Sequence, residues 1–306
     1  MIEVIGLEKS YAGFPALKSI SFTVPEGEVT GFLGPNGAGK TTTLRILSGF
    51  MPATQGTVKI DGFDVRERSR EVRRRVGYLP EDVPLYRDLS VHAFLAYMAG
   101  LKEVPRARIG PEIERVVTAT GLEPVRTRLI SKISRGYRQR TGLAMALLGD
   151  PPVLLLDEPT SGLDPNQVVE VRELIRRLSG QKTVLLSSHI LTEVAQITSR
   201  VLIIHEGRLV ASGTPRDLAG GMHLERRVRL RVRQGLTAEV WSELAGVRVL
   251  DHSDGTSALL EVKDPERDLP ILARRVVSAG LDLLELYEEV SDLETIFRTA
   301  TGARDA

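Results

Sequence analysis

One short stretch restricts the possible folds of this chain more than any other. Gly34-Pro35-Asn36-Gly37-Ala38-Gly39-Lys40-Thr41-Thr42 fits the pattern G-x-x-x-x-G-K-[ST]. Its glycines let the backbone turn tightly so that N–H groups point at phosphate oxygens. Lys40 is placed to reach the β- and γ-phosphates, and the Thr41 hydroxyl to bind Mg²⁺. A helix starting near Lys40 adds the positive end of its dipole. The apolar run Val29–Leu33 before the loop and the helical pattern after it supply the strand–loop–helix setting this chemistry needs. The expectation is a nucleotide site on an α/β fold.

Such a site needs a carboxylate from the end of a neighbouring strand. Val153-Leu154-Leu155-Leu156-Asp157-Glu158 provides it, with Asp157 expected on Mg²⁺ and Glu158 polarising the attacking water. Further strands are expected at Val58–Ile60, Val76–Leu79, Val184–Ser187 and Val201–His205; several are nearly unbroken in Val, Ile and Leu, as in sheets covered on both faces. From about residue 84 to 148 helical patterns such as Val91–Leu101 and Pro111–Thr120 replace strand signals, which predicts a helical subdomain inserted into the sheet.

After the turn-like Gly213-Thr214-Pro215 and Gly220-Gly221 the pattern resets. Strands at Arg227–Arg233, Val247–Leu250, Ser257–Val262 and Leu281–Glu288 alternate with helices at Thr237–Leu244 and Glu266–Ala279, with the turn Asp254-Gly255 in the hairpin. That β-α-β-β-α-β order predicts a small α+β, ferredoxin-like domain over about 222–306. Ser291-Asp292-Leu293-Glu294 is a capping box that would open a last helix, Asp292–Phe297. The arginines 226, 227, 229, 231 and 233 could touch acidic lipid, but the plainer reading is the solvated face of an edge strand.

Composition limits the classes. Forty-one basic against 40 acidic residues argue against a nucleic-acid partner, and the absence of cysteine excludes disulfides, Fe–S clusters and Cys-ligated zinc. No run approaches the ~18–20 apolar residues of a membrane span. Met1-Ile2-Glu3-Val4 lacks a signal-peptide pattern, so a cytoplasmic chain is expected, with any membrane role exercised through a partner.

In their order along residues 1 to about 218, these motifs resemble the ATPase subunit of an ATP-binding cassette (ABC) transporter. Gly77-Tyr78-Leu79-Pro80-Glu81 looks like the Q-loop, Ile133-Ser134-Arg135-Gly136-Tyr137-Arg138-Gln139-Arg140 like the signature motif, Ser161-Gly162-Leu163-Asp164 like the D-loop and His189 like the switch histidine. The resemblance implies a P-loop NTPase core of the ABC type that hydrolyses ATP with Mg²⁺. Tyr11 would lie under the adenine, although an aromatic ring is more often core packing. Ser134 and Gly136 would meet the γ-phosphate held by a second copy, and Asp164 would connect the two sites. His189 would hydrogen-bond the γ-phosphate, the bland alternative being a structural histidine. Two departures stand out: Glu81 in place of the usual Gln, still able to reach the metal or water, and Arg135 and Tyr137 in place of a Gly and the Gln of the signature. Both are similar to cassettes of multidrug, antibiotic, polysaccharide and gliding-related exporters. The implied partners are a transmembrane permease on the cytoplasmic face and a second ATPase subunit. The competing readings are a non-transport cassette ATPase acting on ribosomes or DNA and a nucleotide-binding regulator without turnover.

Overall fold

A computed structural model describes residues 1–190, 194, 196–214, 217–218, 226–233, 235, 248–251, 255–262, 264–289 and 297. The chain divides into two compact units, Met1–Pro215 and Arg216–Ala306.

The first unit holds two sheets. Strands β1 (Ile2–Tyr11), β2 (Phe14–Val24), β4 (Gln55–Ile60) and β5 (Phe63–Asp64) form an antiparallel sheet in the order β2-β1-β4-β5. Ala12 and Gly13 both take positive φ, 47° and 91°, as a two-residue turn joining paired Tyr11 and Phe14 requires. The second sheet runs β10-β9-β3-β8-β7-β6, built from β3 (Val29–Leu33), β6 (Val76–Leu79), β7 (Val153–Asp157), β8 (Thr183–Ser188), β9 (Arg200–His205) and β10 (Arg208–Gly213). All its pairs are parallel except β10 against β9. Every residue of β3, β7 and β8 is buried, which explains the apolar stretches Phe32-Leu33, Val153–Leu156 and Val184–Leu186 within them. One core joins both sheets through Ile2, Leu7, Phe22, Phe32, Leu44, Leu155 and Leu202.

Helices α3 (Val91–Leu101), α4 (Arg106–Thr120) and α5 (Arg135–Leu147) fall between the adjacent parallel strands β6 and β7. The Ser90 hydroxyl caps α3 by accepting from the Ala93 N–H at 3.1 Å. Helix α4 begins earlier than the sequence pattern suggests and carries Pro111 inside it. Its first turn is exposed and has no apolar stripe to announce it. Helices α1 (Lys40–Leu47), α2 (Ser69–Arg75) and α6 (Pro165–Leu178) complete the unit.

In the second unit β11 (Arg226–Val232), β12 (Arg248–Asp251), β13 (Ser257–Val262) and β14 (Leu283–Glu289) form an antiparallel sheet in the order β12-β13-β11-β14. Counted along the unit that order is 2-3-1-4, the arrangement of a ferredoxin-like sheet. Val228, Leu230, Ala258 and Leu260 pack against Leu272 and Val276 of α7 (Pro265–Ser278). β11 is therefore a central strand, not the edge strand its charges suggest. Its alternate arginines are answered across the sheet, Arg231 by Glu285 and Arg233 by Asp282 at 3.5 Å. The expected helices at Thr237–Leu244 and Asp292–Phe297 and the 291–294 capping box lie outside the described residues, apart from Phe297. Among the described residues no helix is long and apolar enough to cross a membrane.

Candidate functional site

Parallel strands present their carboxyl ends, and the loops that follow them, on one side of a sheet. Here β3, β6, β7 and β8 are neighbours, with Leu33 opposite Ser188, Asp157 opposite Ser187 and Leu79 opposite Leu156. The segments that leave these strands are the phosphate loop, Pro80-Glu81, Glu158 and His189. Residues far apart in sequence are thereby gathered by register alone.

The phosphate loop bridges β3 and α1. Gly37 and Gly39 stand at φ 80° and 110°, where side chains are disfavoured. Gly39 has a second constraint: a Cβ there would lie 2.7 Å from the Leu17 side chain and 3.0 Å from the Ala16 carbonyl oxygen. A Cβ at Gly34 would collide with the Ile204 carbonyl. The loop is braced from outside, because the Gly207 N–H donates to the Ala38 carbonyl at 3.0 Å and the Lys18 N–H to the Gly207 carbonyl at 2.8 Å. Asn36 and Gly37 are exposed at its tip, and Pro35, Thr41 and Thr42 are half-buried. Helix α1 has no side-chain N-cap and no acid in its first turn, so its leading N–H groups suit an anion. Lys40, 6% exposed, donates from Nζ to the Gly34 carbonyl at 2.7 Å and stands 3.5 Å from Glu158 Oε1.

Asp157 and Glu158 are joined by a residue that sequence reasoning did not single out. The Ser187 hydroxyl donates to Asp157 Oδ1 at 2.6 Å and accepts from the Glu158 N–H at 3.0 Å. Its importance is written in the β7–β8 register, not in any local motif. Burial pushes the Asp157 carboxyl above its usual range and the Glu158 charge adds to this, while Ser187, Thr41 and Lys40 act against it. Oδ2 of Asp157 is buried with no hydrogen-bond partner. A buried carboxylate oxygen left open beside a threonine hydroxyl fits a hard divalent cation completed by phosphate and water. Burial also pushes the nearby Tyr78 phenol up to about 12, so it is neutral.

Glu158 lies immediately beyond β7 at φ 49°, a conformation that costs a non-glycine residue about 1–3 kcal/mol. That backbone turn accompanies a 2.9 Å contact between its Oε2 and His189 Nδ1. His189 is half-exposed and Glu158 is buried. Lys40, Glu158 and His189 thus form a continuous polar chain from the phosphate loop to the end of β8.

The remaining candidates lie around this centre. Tyr11 is 44% exposed, its hydroxyl donating to Met51 Sδ at 3.1 Å and its ring centroid 5.3 Å from Lys9 Nζ. The bland core-packing reading of this ring fails on that exposure. Glu81 is exposed, and its charge is felt by Tyr78; among the described contacts it bonds to neither Thr41 nor Asp157. Ser134 caps α5, accepting from the Tyr137 N–H at 3.3 Å. Gly136 packs against the Gln167 amide, which a Cβ at that position would displace. Asp164 caps α6, accepting from the Gln167 N–H at 3.0 Å. Gly136 and Asp164 therefore meet through Gln167, with Ser134 at the head of the same helix as Gly136, and the described contacts of the three do not include the phosphate loop.

The family description "ABC transporter" matches residues 17–161. The bacitracin transport ATP-binding protein of Bacillus licheniformis is 33% identical over 310 aligned residues, which cover 99% of this chain and 97% of that protein. The daunorubicin/doxorubicin resistance ATP-binding protein of Streptomyces peucetius is 32% identical, over 98% and 92% of the two chains. Among solved structures, an ATP-binding subunit of an ABC transporter superposes with a TM-score of 0.68 at 29% identity, covering 73% of this chain and 94% of its own. The chain belongs to the ATP-binding cassette transporter family, as one of its ATP-binding, ATP-hydrolysing subunits.

Proposed function

We propose that this subunit powers an exporter, closing as a homodimer on ATP and Mg²⁺ and driving a separate membrane-spanning permease from the cytoplasmic face. Relatives named for bacitracin transport and for daunorubicin/doxorubicin resistance support export of antibiotic-like compounds as the cargo class. The observation that carries hydrolysis rather than binding alone is Glu158 standing between Lys40 and His189 at 3.5 and 2.9 Å. A subunit that only bound nucleotide would have no use for a strained, buried carboxylate at that point.

In this reading backbone N–H groups of 34–42 and the Lys40 ammonium hold the phosphates, while Tyr11 offers a flat face to the adenine. Thr41 and Asp157, with Glu81, hold Mg²⁺, which neutralises charge on the β- and γ-phosphates when bound. Glu158 accepts the proton of the attacking water. His189 fixes the glutamate through Nδ1 and keeps Nε2 for the γ-phosphate, so loss of that group is felt at β8. Ser134 and Gly136 close on the nucleotide of the second copy, with Asp164 beside that interface. Residues 1–218 make the nucleotide-binding domain, with 84–148 facing the permease, and 222–306 an accessory domain. A groove of about 510 Å³ lined by Phe50, Arg70, Arg74, Met98 and Leu101 suits the permease contact, since Phe50 and Leu101 are 72% and 60% exposed.

The test is light scattering on Glu158→Gln. A monomer that becomes a dimer with Mg-ATP and reverts on chelation is expected. A mass indifferent to ATP and metal would overturn ATP-driven closure.

A further inference from the structure

Arg135 occupies a signature position where the resemblance leads one to expect glycine, and its surroundings are unusual. The guanidinium lies against Gly162, a residue at φ 68° in the loop that follows Glu158; a methyl group on Gly162 would push it from its place. Three further contacts hold the same helix, one to this loop and two to α6, which follows it. Gly136 abuts Gln167, Gln139 Nε2 donates to the Pro159 carbonyl at 3.2 Å, and Arg140 pairs with Glu170. Between Pro159 and Asp164 the chain is wound tightly back on its origin. The Ser161 N–H donates to the Glu158 carbonyl at 3.0 Å and the Leu163 N–H to the Thr160 carbonyl at 3.2 Å. Displacing Gly162 therefore tugs on the backbone of Glu158, which is itself held in a conformation it does not favour.

We propose that Arg135 is a positioning residue that locks the signature helix to the 159–164 loop, so that closure of Ser134 on a partner's nucleotide sets Glu158 of the same chain for hydrolysis. This rests on the ATP-closed dimer proposed above. Two properties suit arginine to the task. Its guanidinium packs directly against Gly162, and its rigid planar fork presents several donors at once. Gly162 is the complementary half, since without a Cβ it leaves the guanidinium its place and takes the left-handed backbone at φ 68° without strain. The two glycine sites thus differ in kind: Gly136 admits Gln167 from α6 to α5, and Gly162 admits Arg135 from α5 to the loop before α6. Each element reaches into a space the other leaves empty.

The experiment compares full-length wild type, Arg135→Gly, Arg135→Lys, Gly162→Ala and the double variant Arg135→Gly/Gly162→Ala. ATPase rates are measured against ATP concentration, nucleotide affinity of the dilute monomer by titration, and ATP-driven dimerisation by light scattering in the Glu158→Gln background. Wild type is expected to respond sigmoidally to ATP. Arg135→Gly should lower kcat by about tenfold, the size of coupling seen between residues sharing a contact. It should also flatten the response to a hyperbola while leaving monomer affinity unchanged. Arg135→Lys should recover part of the sigmoidal response, because it keeps the charge and loses the plane. Gly162→Ala should cost less when Arg135 is already gone, since the left-handed strain is common to both backgrounds and the collision is not. A dimer that forms normally while Arg135→Gly keeps wild-type kcat and sigmoidicity would overturn the lock, as would losses that simply multiply. A hyperbolic wild type would overturn it too. Failure of the Glu158→Gln chain to dimerise with Mg-ATP would instead overturn the dimer reading, and the lock with it.

Discussion

Ser187 gives one hydroxyl to two acidic residues, taking up one oxygen of Asp157 and leaving the other open. Ser187→Ala should free Oδ1 to compete with Oδ2 for the metal and loosen the Glu158 backbone. It should raise the Mg²⁺ concentration required for half-maximal ATPase and lower kcat, read by metal titration. Glu158→Gln should keep ATP binding and lower turnover by at least ~10²-fold, the lower end for general-base assistance; near-normal turnover would remove the glutamate from that role. A third residue acts on stability alone. Glu112 accepts from Arg115 at 3.0 and 2.7 Å and from the Gly149 N–H at 2.7 Å. The Arg115 guanidinium holds its carboxyl below the ordinary value. A carboxyl with a lowered native pKa stabilises the fold above its unfolded pKa, and loses that contribution as the pH falls through the native one. Glu112→Gln should therefore cost about 1–2 kcal/mol at pH 7 in denaturant melts. The gap to wild type should narrow below about pH 4.5, where unfolded glutamate takes up its proton.

Elements were legible where a single rule governs them. β7, β8 and β9 stand out because burial on both faces selects the aliphatic runs Val153–Leu156, Val184–Leu186 and Val201–Ile204. β1 and β2 do not, because their pairing shifts register between Val4 and Leu7 and again near Lys9, which breaks the alternation a half-buried strand should show. The same contrast divides the site. The phosphate loop and the acids after β7 are spelled out locally, whereas Ser187 and the Arg135–Gly162 contact depend on which strands and helices lie together. Helix α5 has its cap and its proposed partner contact on one side chain, Ser134. In the Glu158→Gln background Ser134→Arg should abolish the ATP-driven dimer by bulk and charge while the single subunit still binds nucleotide. The lost cap should cost about 1 kcal/mol, visible as a small drop in melting temperature. A persistent dimer would move the interface away from α5.

At the scale of the molecule, every residue placed near the nucleotide lies before the break between the two compact units at 215–216. A chain ending at Leu218 should fold and bind Mg-ATP with the affinity of the full-length protein, measured by calorimetry. If it folds but cannot bind, the second unit contributes to the site. In that second unit Arg231 and Arg233 are answered by Glu285 and Asp282, so it should show little preference for anionic over neutral vesicles. The helical part of the first unit has a different consequence. The chain leaves the sheet after Leu79 and returns at Val153 on the adjacent strand, with Val76 facing Val153 and Leu79 facing Leu156. Topologically the helices are a detour that leaves the carboxyl end of β6 and re-enters at the amino end of its parallel neighbour β7. Such a detour can lengthen, shorten or be swapped without unpairing any strand, so its outer surface could be refitted to new contacts while the engine beneath it is inherited intact.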